Sequence, residues 1–235
     1  MCWNTTLKGI YKNLKIFPHC ADDGLSIGAL QFLIDKYNLP SFKLTNFPYC
    51  QSDEVGGEFT DETINKIVDL LVDKKIVGIY HGSGELGPRA LGNRSILMHP
   101  ALEGGKDYIN GKVKRRENYR PFGATILKEH VGDYFLNKID NPYMLYIDTF
   151  SEINHPFESI AHVDNTCRTQ TLDNENPTYR KIIEKFYEKT GIPMVLNTSL
   201  NRGGKPICGT KKDALGIFYE TELDALVIDN KFYEK

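Results

Sequence analysis

Four segments of the sequence concentrate residues able to handle an anion. The first is Gly82-Ser83-Gly84-Glu85-Leu86-Gly87-Pro88-Arg89-Ala90-Leu91-Gly92-Asn93-Arg94-Ser95, which directly follows an apolar run. Its glycines allow tight turns and close approach of a ligand to the backbone. Successive free N–H groups in such a loop can form an anion-binding nest. Arg89 and Arg94 add forked donors that suit phosphate or carboxylate. The spacing fits neither a Walker A loop, which needs Gly-Lys-Ser/Thr, nor a dinucleotide fingerprint. A purely structural turn with two surface arginines would carry the same residues.

The second segment runs from Asn110 to Phe122. It sets five cations, Lys112, Lys114, Arg115, Arg116 and Arg120, against one acid, Glu117. In an extended chain Lys114 and Arg116 would share a face. Such a cluster repels itself until an anion sits in it, and phosphate or a nucleic acid backbone is the obvious kind. A solvated basic surface is the alternative. In the third segment, Ala161 to Gln170, the residues His162, Asp164, Arg168 and Gln170 fall at even spacing. A strand would show all of them on one face, whether pocket wall or open surface. A zinc site on His162 and Asp164 has no third ligand nearby. The fourth segment, Leu196 to Asn201, ends an apolar run with Asn197, Ser199 and Asn201. These uncharged donors and acceptors suit a base, a ribose or a carbamoyl-like amide. Strand ends in α/β sheets are common ligand positions, though a polar turn would read alike.

The elements that must position these segments are legible in outline. Leu14 to Phe17 reads as a short strand, and Leu25 to Tyr37 as a buried helix after the turn Ala21-Asp22-Asp23-Gly24. Residues 41–59 are loop-like, and the domain boundary is expected there. Thr60 suits a helix N-cap before Ile64, Ile67, Val68 and Leu71. Ile76 to Tyr80, Met194 to Leu196 and Ala225 to Ile228 read as strands. Pro177 to Lys189, capped by Gly191, and Ala214 to Tyr219 read as helices. Alternation of the two types indicates an α/β or α+β sheet domain over 55–235, preceded by a piece, 1–50, too small to be stable alone.

Composition narrows the function classes. Lys plus Arg total 29 and Asp plus Glu 31, so the net charge is −2 and there is no global pull toward nucleic acid. No apolar run approaches a membrane span, and the N-terminus shows no secretory pattern. The five cysteines (Cys2, Cys20, Cys50, Cys167, Cys208) form no CxxC pair, as expected of reduced thiols in a cytoplasmic protein.

The order of these motifs resembles that in the C-terminal part of the NodU/TobZ-type O-carbamoyltransferases. The resemblance rests on Glu85 through Leu97, Val113-Lys114 through Arg120-Pro121-Phe122, His162-Val163-Asp164 through Arg168-Thr169-Gln170, and Gly191-Ile192-Pro193 through Asn201. It implies a YrdC-like twisted α/β domain over 55–235. That domain would form carbamoyl adenylate from carbamoyl phosphate and ATP, for transfer to a hydroxyl acceptor. It further implies that residues 1–50 are the last piece of an actin-like ATPase-fold domain that holds a metal, usually iron. By the same resemblance Lys114, Arg116, His162 and Arg168 are catalytic. Arg89, Arg94, Ser95, Arg120, Asp164, Asn197, Ser199 and Asn201 bind substrate or nucleotide, and Asp22 is a metal ligand.

The family's HxxxH pair is missing, because none of the six histidines stand four apart. The Fe2+ site is therefore incomplete here, and a partner chain supplying the histidines is expected if the metal is used. Two other readings are a nucleotide- or RNA-binding module, which the net charge disfavours, and a subunit that docks onto a separate actin-like partner. Neither a membrane nor nucleic acid is expected as partner.

Overall fold

The computed structural model describes residues 2–19, 24–41 and 46–235. In chain order its elements begin with α1 (Cys2–Ile10), α2 (Leu25–Tyr37), β1 (Gln51–Gly56), α3 (Asp61–Val72), β2 (Val77–Tyr80), β3 (Gly82–Gly84) and β4 (Arg94–Met98). Then come α4 (Gly105–Tyr108), a π-helical turn (Ile109–Lys114), β5 (Gly123–Leu127), α5 (Val131–Tyr134), β6 (Asp148–Thr149) and β7 (Thr166–Leu172). The chain closes with α6 (Pro177–Thr190), β8 (Met194–Ser199), α7 (Lys211–Glu220), β9 (Ala225–Ile228) and β10 (Lys231–Glu234).

Eight strands form one mixed sheet in the order β10-β9-β2-β4-β8-β5-β7-β6. The β9–β2 and β5–β7 pairs are parallel and the others antiparallel. The sheet is therefore mixed α/β, as expected. Alternation along each strand feeds two cores. Val77, Ile79, Leu97, Val195 and Val227 face one core, with Ile64, Ile67, Val68 and Leu71 of α3 and Ile182, Ile183 and Phe186 of α6. Tyr80, Ile96, Met98, Leu196 and Ile228 face the other, with Ile109 and Val113 of the π-helical turn and Ala214, Ile217 and Phe218 of α7. Each large apolar side chain so buried contributes about 1.5–3 kcal/mol. The helices are held at their starts by side chains. Thr60 Oγ1 accepts from Thr63 N (3.2 Å), Asn176 accepts from Tyr179 N (3.1 Å), and Thr210 and Asp213 close a capping box.

The N-terminal expectations fare differently. Residues 14–17 are not a strand, and α2 forms but buries only Ile34 along its length. Leu30, Phe32 and Leu33 stay exposed, so this is not a buried helix in the described structure. The apolar spacing is genuine, but among the described residues only Ile34 of the stripe is covered. The fourth segment continues its strand further than expected, so that Asn197 and Ser199 lie within β8.

Candidate functional site

All four segments converge on one cleft of about 390 Å³. Among its walls are Arg89, Arg116, Arg120, Arg168, Asn197 and Ser199. They come from the loop between β3 and β4, the loop before β5, the start of β7 and the end of β8.

The glycine-rich loop is fixed from both sides. Its amides at Leu91 (2.6 Å), Asn93 (2.8 Å) and Arg94 (3.3 Å) donate to the buried carboxylate of Glu85. Its carbonyls are held too. Ala90 O accepts from Asn197 Nδ2 (3.1 Å), and Leu91 O accepts from Gln170 Nε2 (3.2 Å) and the Tyr49 hydroxyl (3.0 Å). Gly92 has φ +119°, and a Cβ there would lie 2.2 Å from the Tyr179 ring, so only glycine fits. The outcome is a rigid loop whose residue Arg89 makes no hydrogen bond or ion pair among the described residues. Burial works against the Arg89 charge.

Arg168 stands beside Gly123 of β5, its partner in register. A Cβ at Gly123 would come within 3.2 Å of Arg168 Nε and 2.6 Å of Arg168 O, so the glycine clears the guanidinium's path. Arg168 Nε is buried without a hydrogen-bond partner. Burial, then the charges of Arg89 and Arg116, all oppose its positive form. A guanidinium nonetheless stays charged at neutral pH. This mutual repulsion therefore persists until an anion enters.

Arg116 is aimed by Asn110. The Asn110 Oδ1 accepts from Arg116 Nε (2.7 Å), while its Nδ2 donates to Asn118 O (3.2 Å) and Arg120 O (2.9 Å). The Arg116 guanidinium also lies 4.9 Å from the centre of the Phe122 ring. Burial and the neighbouring Arg120 work against its charge. Arg120, at the rim, pairs with Glu117 (2.9 Å).

Lys114 does not share an extended face with Arg116. It ends the π-helical turn, and Arg115 follows in a left-handed conformation (φ 51°), which sends the two side chains apart. The Lys114 ammonium is buried behind the cleft. It donates to Ser199 O, to Ser199 Oγ (3.3 Å) and to Asn201 Oδ1 (2.7 Å), and burial holds it well below the usual lysine range. Ser199 Oγ in turn donates to Asn201 Oδ1 (2.7 Å). Lys114, Ser199 and Asn201 thus form one bonded wall. Its far side, through Asn201, opens on a second cavity of about 600 Å³ floored by Pro206, Ile207 and Cys208.

Other expected residues lie elsewhere. Arg94 is fully buried and commits its guanidinium to four carbonyls, those of His81, Asn93, Glu54 and Gly82. Ser95 Oγ accepts from Gly92 N (3.1 Å) inside the loop. His162 and Asp164 precede β7 rather than lying in it, so the even spacing of the third segment does not place them on Arg168's face. Asp164 caps the turn through Thr166 Oγ1 (2.6 Å), and His162 Nδ1 meets the same hydroxyl (2.8 Å). Burial, then Arg168, lowers the His162 pKa. Asp22 lies outside the described residues. Among the described residues no group of three or more His, Cys, Asp or Glu side chains could hold a metal ion. Residue-type reasoning left Glu85 and Asn110 without roles, although both sit inside quoted segments. Nothing in their types announces a clamp, because the backbone groups they hold are invisible in a sequence.

The fold is thus a mixed α/β domain in which Arg89 and Arg168, without hydrogen-bond partners among the described residues, stand on one cleft. The chain belongs to the carbamoyltransferase family: residues 68–235 match the model of the carbamoyltransferase C-terminus. It is 37% identical to the nodulation protein NolO of Bradyrhizobium diazoefficiens, covering 94% of this chain and 44% of that protein. It is 36% identical to an uncharacterised protein of Methanocaldococcus jannaschii, covering 95% and 47%. It is 31% identical to the 3'-hydroxymethylcephem-O-carbamoyltransferase of Amycolatopsis lactamdurans, covering 93% and 39%. The chain thus spans less than half the length of these relatives. A solved full-length HypF in its phosphate- and nucleotide-bound form aligns at TM-score 0.46 and 18% identity, over 71% of this chain and 21% of that one, too distant a likeness to bear on function.

Proposed function

We propose that the cleft forms carbamoyl adenylate from carbamoyl phosphate and ATP, for transfer to a hydroxyl acceptor by the remainder of the enzyme. The observation that carries the reading is the convergence of Arg89, Arg116 and Arg168 on one cleft, with Arg89 and Arg168 unpaired among the described residues. Joining two anionic substrates requires several phosphate charges to be neutralised at once by groups already in place. In net terms carbamoyl phosphate, ATP and one water give carbamoyl adenylate, phosphate and pyrophosphate. The carbamate oxygen bonds to the α-phosphorus as the bond to pyrophosphate breaks.

In this reading Arg89, Arg116 and Arg168 hold phosphate oxygens, and Arg120 attracts them at the rim. Asn197 keeps a buried, unpartnered Oδ1 on the cleft, able to accept from a carbamoyl N–H. Lys114 acts from behind, holding Ser199 and Asn201. His162 and Asp164 back the Arg168 strand, and Arg94 and Ser95 shape the loop rather than touch substrate. Placement of the guanidiniums inside a cleft, not along an open face, supports a small-molecule substrate over a nucleic acid backbone. Residues 1–50 are read as the tail of the actin-like part, completed by a partner chain or further sequence, and no step is routed through a metal.

The test is pyrophosphate release from ATP by the purified chain. Release should require carbamoyl phosphate, and Arg116→Ala should lower turnover by about 2–4 kcal/mol with the fold retained. A folded chain that releases none, or an R116A variant with full turnover, would sink the reading.

A further inference from the structure

Glu85 is a carboxylate buried to 3% exposure, and among the described residues no cation pairs with it. Its partners are the backbone amides of Leu91, Asn93 and Arg94. Arg94, the cation whose charge acts on it, directs its guanidinium to carbonyls instead. Burial pushes the Glu85 carboxyl up to about 7, against the amides of Asn93, Leu91 and Arg94 and the Arg94 charge, which all favour the ionised form. An unpaired buried charge costs several kcal/mol.

The geometry explains what a carboxylate adds. Two oxygens, both acceptors, are needed to take three amides: Oε1 takes Leu91 and Asn93, and Oε2 takes Arg94. A glutamine keeps one acceptor oxygen and turns an NH₂ donor toward the remaining N–H. Between Glu85 and Leu91 the chain runs through Gly87, Pro88 and Arg89. The amide clamp therefore closes the base of a short loop with Arg89 and Pro88 on the cleft side. Among the described residues Arg89 has no hydrogen-bond or ion-pair partner to hold it there, so its direction depends on the backbone that carries it.

We propose that Glu85 is a positioning residue, clamping the 85–94 loop from inside so that Arg89 projects into the cleft. The proposal rests on the reading of that cleft as a phosphate site. A residue that merely stabilised the fold would weaken ligand binding, if at all, whether or not Arg89 were present. A residue that acts through Arg89 would not.

The experiment measures inorganic pyrophosphate affinity by calorimetry at pH 8 for the full chain and for Glu85→Gln, Arg89→Ala and the double variant. Arg89→Ala should weaken binding about tenfold or more, as loss of a charge-assisted contact does. Glu85→Gln should weaken it by about fivefold to tenfold, and the double variant should bind within about twofold of Arg89→Ala. Full affinity in Glu85→Gln, or an equal loss in both backgrounds, overturns the positioning role alone. Wild-type affinity in Arg89→Ala removes the phosphate reading and the positioning role with it. Should Glu85→Gln fail to fold, Glu85→Asp serves the same cycle. It keeps both oxygens but withdraws them by one methylene, and the same non-additivity is expected.

Discussion

Arg94 and Arg89 lie five positions apart in one glycine-rich run and do opposite things. The Arg94 guanidinium sits 3.5 Å over the Tyr80 ring and reaches His81 O (2.6 Å), Glu54 O (2.9 Å), Asn93 O and Gly82 O (both 3.1 Å). Arg94→Ala removes a donor from each of these carbonyls, leaving Glu54 O only the Tyr80 hydroxyl (2.7 Å) and Asn93 O only the His81 amide (3.2 Å), and opens a cavity beneath the loop. It should cost about 3–5 kcal/mol in urea unfolding, whereas Arg89→Ala should change stability by less than about 1 kcal/mol. The reverse order would mean that the two guanidiniums are misplaced here. From residue type alone the two arginines are indistinguishable, since both read as forked donors beside flexible backbone. The difference arises from what the backbone of 81, 82 and 93 presents to position 94, which is a property of the folded loop. Lys114 illustrates the same point: its charge was legible, but not that it faces Ser199 and Asn201 from inside.

Among the elements, the loop–helix contact at Gly92 is the tightest constraint on the site. Position 92 combines a left-handed backbone (φ +119°) with a Tyr179 ring carbon 2.2 Å from where a Cβ would lie. Gly92→Ala should therefore destabilise by about 3 kcal/mol or more, because neither strain nor clash can be relieved without moving α6. Gly216, inside α7 with nothing within 4 Å of its Cβ position, is the matched control. Gly216→Ala should stabilise by about 0.5–1 kcal/mol. Urea midpoints of the two variants check the pair, and equal effects would refute the assigned packing. Helices with caps and apolar stripes, α3 and α6 above all, were legible because cap and stripe are both local signals. The third segment was not, because period-two spacing continues through the Asp164 turn before β7 begins. A turn that bonds Thr166 to Asp164 preserves the alternation of residue types while ending the alternation of faces.

On the scale of the whole molecule, among the described residues both apolar cores draw their members from Phe59 onward. Among the described residues, what precedes Asn46 is tied to the later chain by few bonds: Asn4 Nδ2 to Leu145 O (2.9 Å), Thr5 with the backbone of Ile147 (3.0 and 3.3 Å), and Lys8 above the Tyr146 ring (5.0 Å). The helix α1 leaves Trp3 79% exposed. We propose a boundary within 41–59, a reading that this distribution of contacts supports, although the composition of residues 25–37 had suggested a buried helix. Partly exposed hydrogen bonds contribute about 0.5–1.5 kcal/mol each, small against the burial supplied by α3, α6 and the sheet. A chain beginning at Asn46 keeps β1, Tyr49 and its bond to Leu91, and hence the back of the cleft. It should unfold in one cooperative transition, with a melting temperature lowered by less than about 10 °C. It should also retain pyrophosphate affinity, since among the described residues no cleft-lining residue precedes Pro88. A truncated chain that melts without cooperativity would make 2–45 part of the same folding unit. One that folds but loses pyrophosphate would show that the earlier segment shapes the Arg89 loop, through the stacked rings of Phe17 and Phe47 and the Leu86 N to Pro48 O bond.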